Sequence, residues 1–180
     1  MNTYKKLSNL TRVTLFTLVI LSLALSLISC TGGDASSSDT SGSGAVAPDF
    51  TVYDRLGNEV HLSDFSGEPV VINFWATWCT YCVQEMPDFN KAYIAYPNVN
   101  FLMINATDGV NETEKKATDY VDSEGFGFNI YFDTESEAQT AYRVNAYPMT
   151  FFVNASGEFV SRHRGKITYS ALISGIESIT

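Results

Sequence analysis

The chain has 180 residues, of which 45% are hydrophobic and 17% are charged, which fits one globular domain with extensions and excludes a wholly disordered protein. The first 29 residues carry three basic residues and no acidic one, so the remainder has 8 basic and 20 acidic residues and a formal charge of −12. A domain with this much negative charge repels phosphate backbones, which argues against nucleic-acid binding. Three cysteines are too few for a small protein that is held together by disulfides.

The start of the chain has the pattern of a lipoprotein signal peptide. Basic side chains precede an apolar stretch over residues 13–28, which several Ser and Thr residues interrupt. A bilayer span needs about 20 apolar residues, so this stretch is short for a permanent anchor and right for a signal peptide. It ends at Leu-Ile-Ser-Cys, which resembles the bacterial lipobox, so we expect Cys30 to be lipidated. The alternative is an uncleaved signal anchor, and both interpretations place residues 31 onward outside the cytoplasm.

A polar segment follows the predicted lipidation site. It reads TGGDASSSDTSGSG from Thr31 to Gly44 and cannot bury enough apolar surface to fold. We therefore divide the chain into a signal peptide over residues 1–29, a lipidated Cys and flexible linker over residues 30–45, and a folded domain over residues 46–180. This organisation predicts a domain held at the extracytoplasmic face of a bacterial membrane.

Strand and helix patterns alternate along the domain. The predicted strands are 50–53, 59–62, 69–76, 100–106, 128–132, 150–154 and 158–163. The predicted helices are 79–95, 111–123, 135–144 and 170–179. Asn111 is expected to cap the second helix with Glu114 as its capping-box partner, and Gly125 to end it. Alternating strands and helices imply parallel neighbours, and the last two strands add an antiparallel edge, so we expect an α/β fold with a central mixed sheet flanked by helices.

Two cysteines lie where a strand that is predicted to be buried on both faces passes into a helix. Cys79 would lie at the helix N-terminus, where unpaired N–H groups and the helix dipole stabilise a thiolate, which is the reactive form. Cys82 would lie one turn inside, close enough to form a disulfide with Cys79. Cys79 can therefore attack a substrate disulfide, and Cys82 can resolve the mixed disulfide that results.

Two other interpretations of the Cys-x-x-Cys pair are weaker. A zinc site would need further ligands, but no second Cys pair exists, and His61 and His163 lack ligand spacing, so no metal is expected. A structural disulfide across four residues removes little chain entropy and is therefore a poor staple.

Three separated motifs carry a resemblance to a known family. They are Ala47-Pro48-Asp49-Phe50, WATWCTYCVQEMP over residues 75–87, and Tyr147-Pro148-Met149-Thr150-Phe151-Phe152-Val153. They resemble the TlpA/ResA-like branch of the thioredoxin superfamily over essentially all of residues 46–180. The resemblance implies a thioredoxin fold with an N-terminal hairpin extension and a helix–strand insert, which residues 111–132 fit.

The same resemblance implies roles for individual residues. Pro148 matches the cis-proline that lies beside the disulfide in the family, and the backbone of Tyr147 would pair with the substrate peptide. Plain thioredoxins carry a buried acid on the central strand where this chain has Asn73, whereas the family places a glutamate where Glu85 stands. Glu85 is therefore expected to tune Cys82 and accept its proton. The alternative is a first-turn glutamate that only complements the helix dipole.

Trp78 directly precedes Cys79 and is expected to form part of the surface that docks a substrate, with simple packing as the alternative. Three relatives of the fold can be set aside. A peroxiredoxin needs a lone reactive Cys in a Pro-rich context, a Sco-type copper protein has three residues between its cysteines, and a DsbA-like oxidase carries a larger helical insert.

The resemblance implies an enzyme, a membrane-tethered thiol-disulfide oxidoreductase that reduces disulfides in secreted or membrane-attached partner proteins. Cytochrome c maturation and a methionine sulfoxide reductase pathway are both open. No cofactor is expected because the dithiol carries the electrons, and a membrane electron donor of the CcdA type would recharge the enzyme. A monomer is expected. The alternatives are a net disulfide oxidase and a redox-inert binding lipoprotein that keeps the fold.

Overall fold

The computed structural model describes residues 44–180, so the predicted signal peptide, Cys30 and residues 31–43 lie outside the described part. Its strands are β1 (Ala45–Val46), β2 (Thr51–Tyr53), β3 (Glu59–His61), β4 (Val70–Trp75), β5 (Asn100–Asn105), β6 (Ile130–Phe132), β7 (Met149–Val153) and β8 (Glu158–Arg164). Its helices are α1 (Thr80–Ala95), α2 (Glu114–Glu124), α3 (Glu137–Ala141) and α4 (Tyr169–Glu177), with a 3₁₀ helix at Leu62–Phe65. No helix within this part is long and apolar enough to cross a membrane.

The strands form one mixed sheet in the order β1-β8-β7-β4-β5-β6-β2-β3. Strands β4, β5 and β6 are parallel neighbours, whereas β7 and β8 add antiparallel strands on the other side of β4. The predicted N-terminal hairpin, β2 and β3, joins the far side of the sheet through an antiparallel contact with β6. The predicted mixed α/β sheet is confirmed, and the short strand β1, which the sequence did not indicate, lies outside β8.

Strand β4 is the centre of the sheet, and all six of its residues are buried. Val71 and Trp75 belong to the core that includes α1, α2 and α4, whereas Ile72 and Phe74 belong to the core that includes α3. The two cores lie on opposite faces because successive strand residues point to opposite sides of a sheet. A strand buried on both faces explains the continuous apolar run from which it was predicted.

The prediction that Asn111 caps the second helix is wrong. Helix α2 begins after Thr113, whose hydroxyl accepts a backbone N–H of the first turn at 3.2 Å. The carboxylate of Asp108 accepts the N–H groups of residues 110–112, so Asn111 belongs to a separate turn that ends before the helix starts. Gly125 ends the helix in the left-handed region, with φ of 70°, as predicted.

The third helix is shorter than predicted. Ser136 lies in the left-handed region with φ of 56°, so regular helix begins only at the next residue. The carboxylate of Asp133 accepts the N–H groups of Ala138 and Gln139 and thereby satisfies two donors of the first turn. A side chain that precedes the helix by several residues therefore sets its start.

Candidate active site

The site is built where β4 ends and α1 begins, and residues 76–79 make the connection. Cys79 is the N-cap of α1, with extended φ and ψ of −85° and 102°. The N–H group of Cys82 donates to the Cys79 sulfur at 3.2 Å. An N-cap side chain receives the unpaired N–H groups of the first turn, so the helix places its positive end at this sulfur. Cys79 therefore lies at the helix N-terminus, as predicted.

Cys79 and Cys82 form a disulfide, and their Cα atoms are 5.2 Å apart. The exposed fraction is 6% for Cys79 and 0% for Cys82. Cys82 is therefore closed to solvent, whereas Cys79 keeps a small exposed surface. No three His, Cys, Asp or Glu side chains between residues 44 and 180 are grouped so that they could hold a metal ion.

Glu85 lies on α1 one turn beyond Cys82 and is only 1% exposed. One carboxylate oxygen accepts the side-chain amide of Asn73 at 2.9 Å, and the other accepts the N–H group of Ile167 at 2.9 Å. Burial raises the pKa of Glu85 to about 7, because the two hydrogen bonds offset only part of the cost of desolvating the carboxylate. A carboxyl with a pKa near neutrality is suited to exchanging a proton.

Asn73 connects Glu85 to the neighbouring strand. Its Nδ2 atom donates to Glu85 and also to the hydroxyl of Thr150 at 3.1 Å, since Asn73 and Thr150 are paired across β4 and β7. Its Oδ1 atom has no hydrogen-bond partner among the described residues. An amide cannot titrate in the physiological range, so Glu85 is the ionisable group of this pair.

Trp78 and Tyr147, two of the three residues predicted to position a substrate, are in contact. The peptide bond between Tyr147 and Pro148 is cis. The Trp78 side chain is 56% exposed, and its ring packs edge-on against Tyr147 with the centroids 5.6 Å apart. Trp78 directly precedes Cys79, so this contact brings the loop before the disulfide and the loop before Pro148 together.

Two polar residues beside the site were not predicted. Glu112 is fully buried, and its carboxylate accepts the backbone N–H of Thr77 at 2.9 Å, the hydroxyl of Thr77 at 2.6 Å and the Asn105 amide at 2.7 Å. Gln139 accepts the hydroxyl of Tyr147 and donates to Asp133 at 2.9 Å. No sequence signal distinguishes Glu112 from the nearby exposed acids, because its partner Thr77 lies 35 residues away in the chain.

The AhpC/TSA family matches residues 43–162, two thirds of the chain, and this range contains the disulfide, Glu85 and the cis-proline. The chain belongs to this family. Among similar proteins, thiol-disulfide oxidoreductase ResA of Geobacillus kaustophilus is 36% identical over 138 residues, which are 76% of this chain and 77% of that protein. The protein is therefore a ResA-like thiol-disulfide oxidoreductase, and the predicted activity is confirmed at that level.

Solved structures of similar proteins confirm the fold of this oxidoreductase. A candidate thiol:disulfide interchange protein DsbE of Chlorobium tepidum is 26% identical, with a TM-score of 0.68 over 76% of this chain and 96% of that one. The exposed lipoprotein thioredoxin Etrx1 of Streptococcus pneumoniae is 22% identical, with a TM-score of 0.63 over 73% of this chain and 99% of that one. The described domain of this oxidoreductase therefore has a thioredoxin-like α/β fold.

The raised pKa of Glu85 predicts a pH dependence of stability. The folded pKa of about 7 exceeds the ordinary value of 4.5, so the native state binds the proton more tightly than the unfolded chain does. This contribution is fully present below pH 4.5 and is lost as the pH rises through about 7. Glu85→Gln cannot ionise, so between pH 5 and 8 the variant should lose about 2–3 kcal/mol less stability than the wild type.

Urea unfolding of the disulfide form at both pH values measures the difference. The glutamine side chain of this variant keeps a partner, because the Asn73 amide can rotate and accept through its unpaired Oδ1 atom. Glu59→Gln changes an exposed glutamate on β3 and serves as the matched control. If Glu85→Gln and the wild type lose the same stability over this pH range, the Glu85 carboxyl is not the group described above.

Proposed function

We propose that this thiol-disulfide oxidoreductase is held at the extracytoplasmic face of a bacterial membrane and reduces disulfides in secreted or membrane-attached proteins. The observation that carries the proposal is the position of the Cys79 sulfur. It caps the positive end of α1, and Cys79 is the more exposed of the two bonded cysteines. The N–H groups and the dipole at a helix N-terminus stabilise a thiolate, which is the form of a cysteine that attacks a disulfide.

The reaction takes place in two exchange steps. In the reduced protein, the Cys79 thiolate attacks one sulfur of the partner's disulfide, a mixed disulfide forms, and the other partner sulfur leaves as a thiolate that takes up a proton. The Cys82 thiolate then attacks the Cys79 sulfur and releases the second partner thiolate, which is protonated in turn. The partner has gained two electrons and two protons, and the protein has become the Cys79–Cys82 disulfide.

Glu85 is proposed to accept the proton of Cys82 before the second step. It lies one turn from Cys82 on the same helix, and burial raises its pKa to about 7. A base with a pKa close to the ambient pH is ionised often enough to take a proton and basic enough to hold it. Asn73, which stands on the central strand beside it, orients the carboxylate and cannot take the proton itself.

Trp78, Tyr147 and Pro148 are proposed to position the substrate. Trp78 offers an exposed aromatic surface directly before the attacking residue. The backbone before Pro148 can pair with an extended segment of the partner, as an added strand does at a sheet edge. This mode recognises the backbone of the partner, so cytochrome c maturation and methionine sulfoxide reductase pathways both fit it.

Each turnover leaves the protein oxidised, so an electron source must restore the dithiol. We propose a membrane electron donor of the CcdA type, and no cofactor, because the dithiol itself carries both electrons. The protein would act on its partners as a monomer.

The direction of electron flow predicts a low reduction potential. A reductant of this kind should have a potential below roughly −200 mV, whereas strong oxidants such as DsbA lie near −120 mV. Equilibrating the protein with glutathione buffers of defined ratio, followed by alkylation of free thiols, gives the value. A potential close to that of DsbA would contradict the reductant proposal and favour a net oxidase.

Attachment to the membrane is proposed through a lipid on Cys30, which follows the apolar stretch of the predicted signal peptide. Etrx1 provides a precedent for a thioredoxin-like fold in an exposed lipoprotein. Cys30→Ala should abolish lipidation and move the protein out of the membrane fraction or block its processing. Intact mass and fractionation measure this, with Ser37→Ala as a control. An unchanged mature mass in Cys30→Ala would contradict the anchor.

A further inference from the structure

The exchange reaction proposed above leaves one buried acid beside the site without a role. Glu112 is fully buried in the segment between β5 and α2, and its carboxylate contacts the connection between β4 and α1. We propose that Glu112 is a positioning residue, which holds residues 76–79 so that the Cys79 sulfur stays at the N-terminus of α1 when the disulfide opens. The proposal rests on Cys79 being the attacking residue of the proposed function.

Glu112 fixes both the position and the orientation of Thr77. Its Oε1 atom accepts the backbone N–H of Thr77 at 2.9 Å, and its Oε2 atom accepts the hydroxyl of the same residue at 2.6 Å. Two hydrogen bonds to two atoms of one residue restrict its rotation as well as its translation. Thr77 lies two residues before Cys79, so its placement sets the direction in which the chain enters the helix.

The carboxylate is itself firmly anchored. The Asn105 amide donates to its Oε1 atom at 2.7 Å, and this amide is oriented by the hydroxyl of Thr107, which donates to Asn105 Oδ1 at 2.8 Å. The carboxylate of Asp108 accepts the N–H of Glu112 at 2.9 Å, and the Glu112 carbonyl accepts the N–H groups of Asp108 and Gly109 at 3.0 Å each. We call the two hydrogen bonds from Thr77 to the Glu112 carboxylate the clamp. The groups that hold this carboxylate in place lie at and after the end of β5, so its position does not depend on α1.

The clamp matters most in the reduced protein. In the disulfide form, the bond to Cys82 ties Cys79 to the first turn of α1. When this bond opens, Cys79 keeps two backbone hydrogen bonds, from its N–H to the Ala76 carbonyl at 3.2 Å and from the Val83 N–H to its carbonyl at 3.1 Å. The clamp at Thr77 then adds the only side-chain hydrogen bonds that the loop before Cys79 makes among the described residues. A sulfur that moves away from the Cys82 N–H group loses the interaction that stabilises its thiolate.

The test is the pH profile of alkylation of the reduced protein by limiting iodoacetamide, with the adduct mapped to Cys79 or Cys82. Glu112→Ala leaves the Thr77 and Asn105 donors without their acceptor, so the rate at Cys79 near neutral pH should fall about three- to tenfold, with the profile shifted to higher pH. Glu112→Gln keeps one oxygen, and its amide can donate to the Thr77 hydroxyl, so it should stay within about twofold of the wild type.

Asn154→Ala is the matched control. Its side-chain oxygen accepts the N–H groups of Ser156 and Glu158, at 3.0 and 2.9 Å, in the turn after β7, at the opposite end of that strand from Pro148. Its loss should lower the stability and leave the alkylation profile unchanged. If Glu112→Ala does not fold, Thr77→Val removes one donor and should shift the profile in the same direction by less.

The outcomes separate the two proposals. Labelling at Cys79 in the wild type, with Glu112→Ala or Thr77→Val matching the wild type, would overturn the role of Glu112 alone. The same holds if Glu112→Gln loses as much reactivity as Glu112→Ala. Preferential labelling of Cys82 in the wild type would overturn the assignment of the attacking sulfur, and the role of Glu112 with it.

Discussion

The site depends on one constraint: the chain must pass from a strand buried on both faces into a helix within residues 76–79, with a sulfur at the first turn. Burial of β4 fixes where the strand ends, and the N–H groups of α1 fix where a thiolate is stable. A displacement of Cys79 by one residue along this connection would turn its sulfur away from the helix terminus. Glu112 contacts this connection at Thr77, and the Cys82 N–H group contacts it at the Cys79 sulfur.

Three buried acids order the site and the elements around it in different ways. Glu85 has two hydrogen-bond partners and a raised pKa, so it is suited to carry a proton. Glu112 receives three hydrogen bonds and holds the loop before Cys79. Asp133 receives hydrogen bonds from the start of α3 and from the side chain of Gln139, which in turn accepts the hydroxyl of Tyr147. Buried carboxylates are costly unless hydrogen-bonded, and here each one orders part of the site.

The sequence predicted the features that depend on neighbouring residues in the chain and missed those that depend on distant partners. The apolar run of β4 and the Cys-x-x-Cys spacing indicate the strand, the helix start and the disulfide directly. The cap of α2 was misplaced because Asn111 and Thr113 are both good caps, and the turn closed by Asp108 decides between them. Glu112 could not be predicted, because its partner Thr77 is 35 residues away and the acid itself looks like any surface glutamate.

The order of the two thiols is the central claim, and trapping of a mixed disulfide tests it most directly. Reduced Cys82→Ser and Cys79→Ser variants are each mixed with oxidised glutathione, quenched with acid and weighed as intact proteins. Cys82→Ser should accumulate an adduct of one glutathione at Cys79, because no resolving thiolate is left to release it. Cys79→Ser should react far more slowly, since the Cys82 sulfur is buried. Equal or faster adduct formation by Cys79→Ser would contradict the assignment of Cys79 as the attacking residue.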